Sequence, residues 1–250
     1  MTGSAEEVGD RSEPALEPHW GYGRKDGPAV WGQLSSDYAL CAVGRCQSPI
    51  DIVGATQADV PAVAFHYQPM QLEVHNNGHT VEVASTNENW IEVGGARYEL
   101  TQFHYHTPGE HTVAGRPFDM EIHLVHRNDE GSLAVVGVLV RRGREHPVLD
   151  ALAEHLPKPR ESLVIEGQKV AASELLPEAS RIFRYEGSLT TPPCSEGVRW
   201  YVFETHIEIS DAGLAAFEAV LGKNNRPVQP LNGRELLVDR CRSRSQTSRT

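Results

Sequence analysis

The sequence has no apolar run long enough to span a membrane, few cysteines and no excess of basic residues, and each shortage removes a class of protein. A spanning helix needs about 20 consecutive apolar residues, and none is present. Four cysteines in 250 residues are too few for a disulfide scaffold, and their spacing is not that of a zinc knuckle. Spacing alone favours four reduced buried thiols, with a single long-range bridge as the alternative. Lys and Arg number 23 against 34 Asp and Glu, which argues against a broad nucleic-acid footprint and suits a small or neutral substrate. Met1 to Pro18 is acidic and lacks the apolar core of a signal peptide, so it reads as a disordered arm. Arg240 to Thr250 reads as a basic, frayed tail. Between them, residues 19–239 are long enough to bury one sizeable core, without internal repeat or linker.

Strands dominate that body. Asn77-Gly78 is a hairpin signal followed by period-two alternation, and Gly94-Gly95 reads as a second hairpin leading into the next strand. Leu133 to Val140 and Val198 to Phe203 are apolar or β-branched runs that suit central strands buried on both faces. Consecutive antiparallel pairing is the simplest arrangement. Helical pattern is scarce: Pro147 to Leu156 is one candidate, and Ser210 to Leu221, with its Ser cap and Gly222 stop, is another.

The chemistry lies in Phe103-His104-Tyr105-His106 and Glu121-Ile122-His123. Side chains two apart on a strand share a face, so His104, His106 and Gln102 point one way. On a neighbouring strand Glu121, His123 and Val125 do the same, and His123 completes a tripod. Three His ligands leave one position of tetrahedral zinc open, as a catalytic site requires. Gln102 and Glu121 stand where they can bind the other ring nitrogens of His104 and His123 and fix their orientation. His126 falls on the opposite face and is excluded as a ligand. His104, His106 and Glu110 also echo a cupin motif, but the flanking glycine spacing and second motif of cupins are absent.

Seven motifs in order carry a family resemblance: His19-Trp20-Gly21-Tyr22-Gly23, Gln47-Ser48-Pro49-Ile50-Asp51, Asn77-Gly78-His79, the strand 102–106, Gly109-Glu110-His111, the strand 121–125, and Gly187-Ser188-Leu189-Thr190-Thr191-Pro192-Pro193. Over residues 19 to about 238 the chain resembles the α-class carbonic anhydrases of bacterial or extracellular type. The resemblance implies a mainly β (α+β) single domain: a central, mostly antiparallel, twisted ten-stranded sheet with a few short peripheral helices. It implies Zn2+ on His104, His106 and His123, and reversible hydration of CO2 to bicarbonate and a proton by zinc-bound hydroxide. Thr190 then accepts from the hydroxide and donates to Glu110, which can only accept. Val125, Val135, Leu189, Val198 and Trp200, with Thr191 beside them, form the substrate pocket. His79 carries the proton to solvent, helped by Tyr22 and Asn77 through ordered water.

The same resemblance pairs Cys41 with Cys194 and points to a periplasmic or secreted location, with the signal peptide missing from the sequence and the cytoplasm as the alternative. It further implies sulfonamide sensitivity, leaves a homodimer open, and adds weak ester hydrolysis as a side activity. Catalytically silent relatives typically lose a zinc His, and all three stand here. Two departures matter: Gly109 replaces the usual Ser before Glu110, and Glu82 puts a carboxylate near His79 that is expected to raise its pKa or repel anions.

Overall fold

The structure is a computed structural model describing residues 18–239 apart from Asn87 and Ala179. The acidic arm up to residue 17, the basic tail and Cys241 lie outside the described residues. Ten strands form the continuous path of the main sheet. In chain order they are β1 (Thr56–Ala58), β2 (Met70–Asn76), β3 (Val81–Ala84), β4 (Ala96–His106), β5 (Met120–Arg127), β6 (Leu133–Arg142), β7 (Ser162–Val170), β8 (Ile182–Ser188), β9 (Glu196–Phe203) and β10 (Leu237–Asp239). Across the sheet they run β7-β2-β3-β4-β5-β6-β9-β8-β10-β1, and three short strands off this path raise the total to 13.

The ten-stranded, mostly antiparallel sheet is therefore present, but it is mixed. β6 lies parallel to β9, and β10 parallel to β1. Consecutive pairing also fails at several points: β7 returns to β2, β6 pairs with β9, and β10 pairs with β1. Trp90–Val93 forms the Gly-Gly hairpin with residues 96–99 of β4, while β3 skips over it to pair with residues 102–104. A strand of 11 residues is long enough to hold both partners end to end. Gly94 and Gly95 take φ of +60° and +81°, the left-handed pair that a tight hairpin turn demands.

β6 explains its unbroken apolar run by packing on both faces. Val136, Val138 and Val140 enter one core cluster with Phe103, Tyr105, Ile122 and Leu124. Val135 and Leu139 enter a second, with Trp200, Val198 and Tyr185. Each such side chain is worth about 1.5–3 kcal/mol when fully buried. The first cluster is closed by helices α3 (Pro147–Ala153) and α4 (Asp211–Leu221), which bring Leu149, Leu152, Leu214 and Phe217. Ser210 Oγ accepts from Gly213 N at 3.0 Å and starts α4, and Gly222 at φ +60° stops it. Two single-turn helices, α1 (Trp31–Leu34) and α2 (Leu40–Val43), were not foreseen, since four residues carry no period. Cys41 and Cys194 are disulfide-bonded, which replaces the four-thiol reading, and Cys46 is half-buried and free.

Candidate active site

Register places the site. Antiparallel pairing sets His104 of β4 opposite His123 of β5, and His106 opposite Glu121. The three imidazoles converge on the sheet face of the second cluster. His104 and His106 ring centroids are 5.0 Å apart, His104 and His123 5.3 Å, and His106 and His123 4.6 Å.

Each ring has one nitrogen engaged by the protein. His104 Nδ1 donates to Gln102 Oε1 at 2.9 Å, His106 Nδ1 to the Asn224 carbonyl at 2.8 Å, and His123 Nε2 to Glu121 Oε1 at 2.9 Å. These bonds fix the tautomers and leave Nε2 of His104, Nε2 of His106 and Nδ1 of His123 facing one another. One nitrogen from each ring lies within 4.8 Å of the other two. His106 Nε2 is a buried polar atom with no partner among the described residues. An orphaned imidazole nitrogen facing two others is the donor set of a three-nitrogen zinc site, so the residues fit that metal. Burial pushes all three imidazoles below their ordinary pKa, which keeps them neutral and able to ligate.

Glu121 is wholly buried yet well provided. Its Oε1 accepts from His123 Nε2 and His111 Nδ1, and its Oε2 from the backbone N–H groups of Glu110 and His111, both at 2.7 Å. Burial would raise its pKa, but the imidazoles of His111 and His123 outweigh that and hold it well below the usual range. A Cβ at Gly137, on the neighbouring β6, would lie 3.3 Å from Val202 Cγ2 and 3.4 Å from Glu121 Oε1, so the strand packs closely over both. His111, Glu121 and His123 also cluster closely, but their facing atoms are already hydrogen-bonded to one another, which removes them as a second metal site.

Glu110 sits beneath the triad. Its Oε1 accepts from Arg226 N at 2.7 Å, and its Oε2 lies 3.7 Å from His106 Nε2 and 3.9 Å from His123 Nδ1. Burial pushes its pKa up to about 7, while His123, the Arg226 amide and the Thr190 hydroxyl pull it down. Gly109 has its backbone packed against Phe118 and Met120, where a Cβ would sit at 3.3 Å. Val125, Val135, Leu189, Val198 and Trp200 fall into one apolar cluster on the histidine side of the sheet.

The cleft leading outward is lined by Tyr22, Asn77, His79, Gln102, His104 and Thr191, among others. Burial, then the charge of Glu110, raises the Tyr22 hydroxyl well above its ordinary pKa. Asn77 is first a turn former: its Oδ1 accepts from the N–H groups of His79 and Thr80, both at 2.9 Å. Glu82 does not act on His79 as expected. It accepts from Asn77 Nδ2 at 3.4 Å, whereas His79 is lowered by burial and by the charges of His19 and Arg160, with Asp26 the carboxylate that opposes them.

Sequence reasoning gave no role to Asn224, Arg226, His111, Tyr185 or Ser48. Arg226 fastens Glu110 through its amide, and its guanidinium donates to Gln47 Oε1, Ser48 O and Cys41 O. His111 continues from Glu121 to the Tyr185 hydroxyl, which donates to Ser48 Oγ. His111 and Ser48 lay in quoted motifs, which was the available signal; Asn224 and Arg226 follow the Gly222 stop with no periodicity to mark them.

A large mixed sheet with three tautomer-fixed imidazoles facing a cleft, a buried carboxylate below them and an apolar wall beside them defines a class: mainly β proteins with an open three-histidine centre. Residues 26–240 match the family model of eukaryotic-type carbonic anhydrases. A carbonic anhydrase of Nostoc sp. is 44% identical over 222 residues, covering 86% of this chain and 84% of that protein. Among solved structures, a hyperthermostable carbonic anhydrase from an active hydrothermal vent chimney superposes with a TM-score of 0.86 at 40% identity, covering 89% of this chain and 100% of the other. The α-carbonic anhydrase of Thermovibrio ammonificans, solved with the inhibitor sulfanilamide, gives 0.85 at 43% identity, with 88% and 99% covered. The chain belongs to the eukaryotic-type carbonic anhydrase family, enzymes that hydrate CO2.

Proposed function

We propose that the chain hydrates CO2 reversibly in a zinc-dependent reaction and passes the released proton outward through His79. The observation that carries this reading is the set of three imidazole nitrogens left facing one another after every opposite ring nitrogen is engaged. His104 Nε2, His106 Nε2 and His123 Nδ1 would hold Zn2+. When bound, zinc supplies a Lewis acid that makes water acidic near neutrality, chemistry for which this family is the type case.

The chain's own residues do the rest. Thr190 donates its hydroxyl hydrogen to Glu110, and its lone pairs are then free to accept from the attacking oxygen and aim it. The Arg226 amide on Glu110 Oε1 holds the carboxylate in place for this purpose. CO2 carries no charge, so the wall of Val125, Val135, Leu189, Val198 and Trp200 receives it without competing for the polar groups. His79, half-buried at the cleft mouth, takes up the product proton, with Tyr22 and Asn77 lining the way.

The Cys41–Cys194 bridge supports an oxidising compartment, periplasmic or secreted. Among the described residues no helix is long and apolar enough to cross a membrane. Sulfonamide inhibition and weak ester hydrolysis follow from the same centre.

Stopped-flow CO2 hydration tests the proposal on the purified protein, after chelation and after zinc is restored. Activity is expected to vanish with the metal and return with it. One bound zinc per chain without hydration would overturn the proposal.

A further inference from the structure

We infer that the sheet carries a second binding site, a groove on the face away from the histidines that takes a small organic carboxylate with a flat apolar body, held by Arg184 and Arg199. The groove has a volume of about 620 Å³. Strands β8, β9 and β10 line one side of it, and Val60, Pro61 and the hairpin residues Val93 and Ala96 line the other. Side-chain alternation assigns its face. Tyr201 of β9 belongs to the first core cluster, while Trp200 and Val202 beside it belong to the second, which packs on the histidine side. Arg184 is paired with Tyr201 across the ladder, and Arg199 lies two residues before Tyr201, so all three share the side remote from His104, His106 and His123.

Arg184 interrupts an apolar row. Ile182, two residues before it on β8, enters the first core cluster, and Arg184 itself is only 8% exposed. A buried guanidinium is costly unless its donors are used. Here Nη2 donates to Asp239 Oδ2 at 3.1 Å, Nε is buried without a partner, and Nη1 bonds to no other described residue. Asp239 cannot serve the remaining donors, because its Oδ1 accepts from Ile182 N at 2.8 Å. Arg199 is exposed, donates through Nη1 to the Tyr98 hydroxyl at 2.7 Å, and has no ion pair among the described residues. The Tyr201 ring lies 5.4 Å from the Arg184 guanidinium, and its hydroxyl feels the charge of both arginines. Burial raises the pKa of that hydroxyl, so it keeps its proton and can donate.

Two guanidinium groups with donors to spare and a phenol beside them call for an anion, and a planar guanidinium matches a carboxylate through two parallel bonds. The rest of the lining sets the body of the ligand. Val60, Pro61, Val93 and Ala96 form an apolar wall, and the volume falls within the roughly 300–1,000 Å³ of organic ligand sites, far more than an inorganic ion fills. Arg234 also lines the groove, but its guanidinium is spent on the carbonyls of Leu231, Glu186, Gln47 and Pro230. Two carboxylates, Glu186 and Glu235, stand exposed at the rim. Glu186 is paired with Arg199 across the ladder but makes no ion pair with it, and it is the charge that opposes a bound anion.

The test titrates 2-naphthoate, a carboxylate on a flat apolar ring, into the zinc-loaded full chain and follows the arginine Nε–H signals by nuclear magnetic resonance. The signals of Arg184 and Arg199 are expected to shift saturably. Arg199→Gln, at an exposed position, should weaken binding about tenfold or more through the loss of one charged partner. Glu186→Gln should tighten binding severalfold, and a gain of this kind cannot come from a damaged fold. Inorganic phosphate, which has the charge without the ring, should bind about tenfold more weakly than naphthoate or worse. Absence of a saturable shift, an affinity that Arg199→Gln leaves unchanged, as naphthoate bound at the metal centre would show, or no gain in Glu186→Gln would each overturn the site. Phosphate binding as tight as naphthoate would overturn the assignment to an organic ligand.

Discussion

His123 and His126 stand three residues apart on β5, both buried, at 1% and 0% exposure, and they face opposite sides of the sheet. On one side, His123 gives one nitrogen to Glu121 and keeps the other toward His104, His106 and Glu110. On the other, both nitrogens of His126 are engaged: Nε2 with the Tyr67 hydroxyl at 2.8 Å and Nδ1 with the Ala134 carbonyl at 3.2 Å. Burial is common to both and so cannot mark a ligand. What separates them is a nitrogen left without a protein partner. The same contrast extends over the sheet. The face of His126 closes on α3 and α4 as an apolar core with one orphaned atom, the Tyr105 hydroxyl, whereas the face of His123 brings two together, His106 Nε2 and Glu110 Oε2, 3.7 Å apart.

Substitution on the two faces should break this comparison if it is wrong. Removing a ligand has the largest expected effect: His123→Ala should abolish zinc binding and lower kcat/KM by about a thousandfold or more, the loss of several kcal/mol of Lewis-acid stabilisation. His126→Gln, equally buried, should leave kcat/KM and zinc content unchanged. Hydration kinetics and metal analysis on the pair decide it, and a large loss in His126→Gln would end the distinction.

Glu121→Gln sharpens the argument one step out from the ligands. The amide keeps the shape but turns a donor toward N–H groups that all need an acceptor. Zinc affinity should fall about 10–100-fold, measured by competition with a chelator. An unchanged affinity would mean that His123 needs no partner to hold its ring.

The smallest effect is on stability and belongs to the apolar face. Burial holds the His126 pKa at about 3, below its ordinary 6.5. Because the unfolded chain takes up that proton first, the stability His126 contributes is complete above about pH 6.5 and is lost as pH falls from there toward 3. His126→Gln should flatten this stretch of a denaturation-versus-pH curve. A slope identical to that of the parent protein would show that other groups set the acid limb.

The metal face was legible because it rests on a period of two. HxH on β4 and ExH on β5 need no more than adjacency of the strands to converge, and the sequence also supplied Gln102 as a same-face partner. The apolar run of β6 announced burial on both faces but not its direction, since side-chain alternation is the same in parallel and antiparallel pairs. Its parallel junction with β9 therefore had no local sign. Arg226 was beyond reach for another reason. It meets Gln47 across 179 positions, and a contact of that separation leaves no pattern in either neighbourhood.

Asn224 accepts from the ring of His106 through its carbonyl and from Thr107 N through its side chain, and it donates to the carbonyls of His79 and Tyr105. Arg226, two residues on, secures Glu110. The pieces that orient a ligand and an acceptor thus lie about a hundred residues further along the chain. During synthesis all three histidines leave the ribosome about a hundred residues before the segment that sets one of their rings. Metal capture in its final geometry is consequently timed by the arrival of Asn224 and Arg226 rather than by the appearance of the ligands.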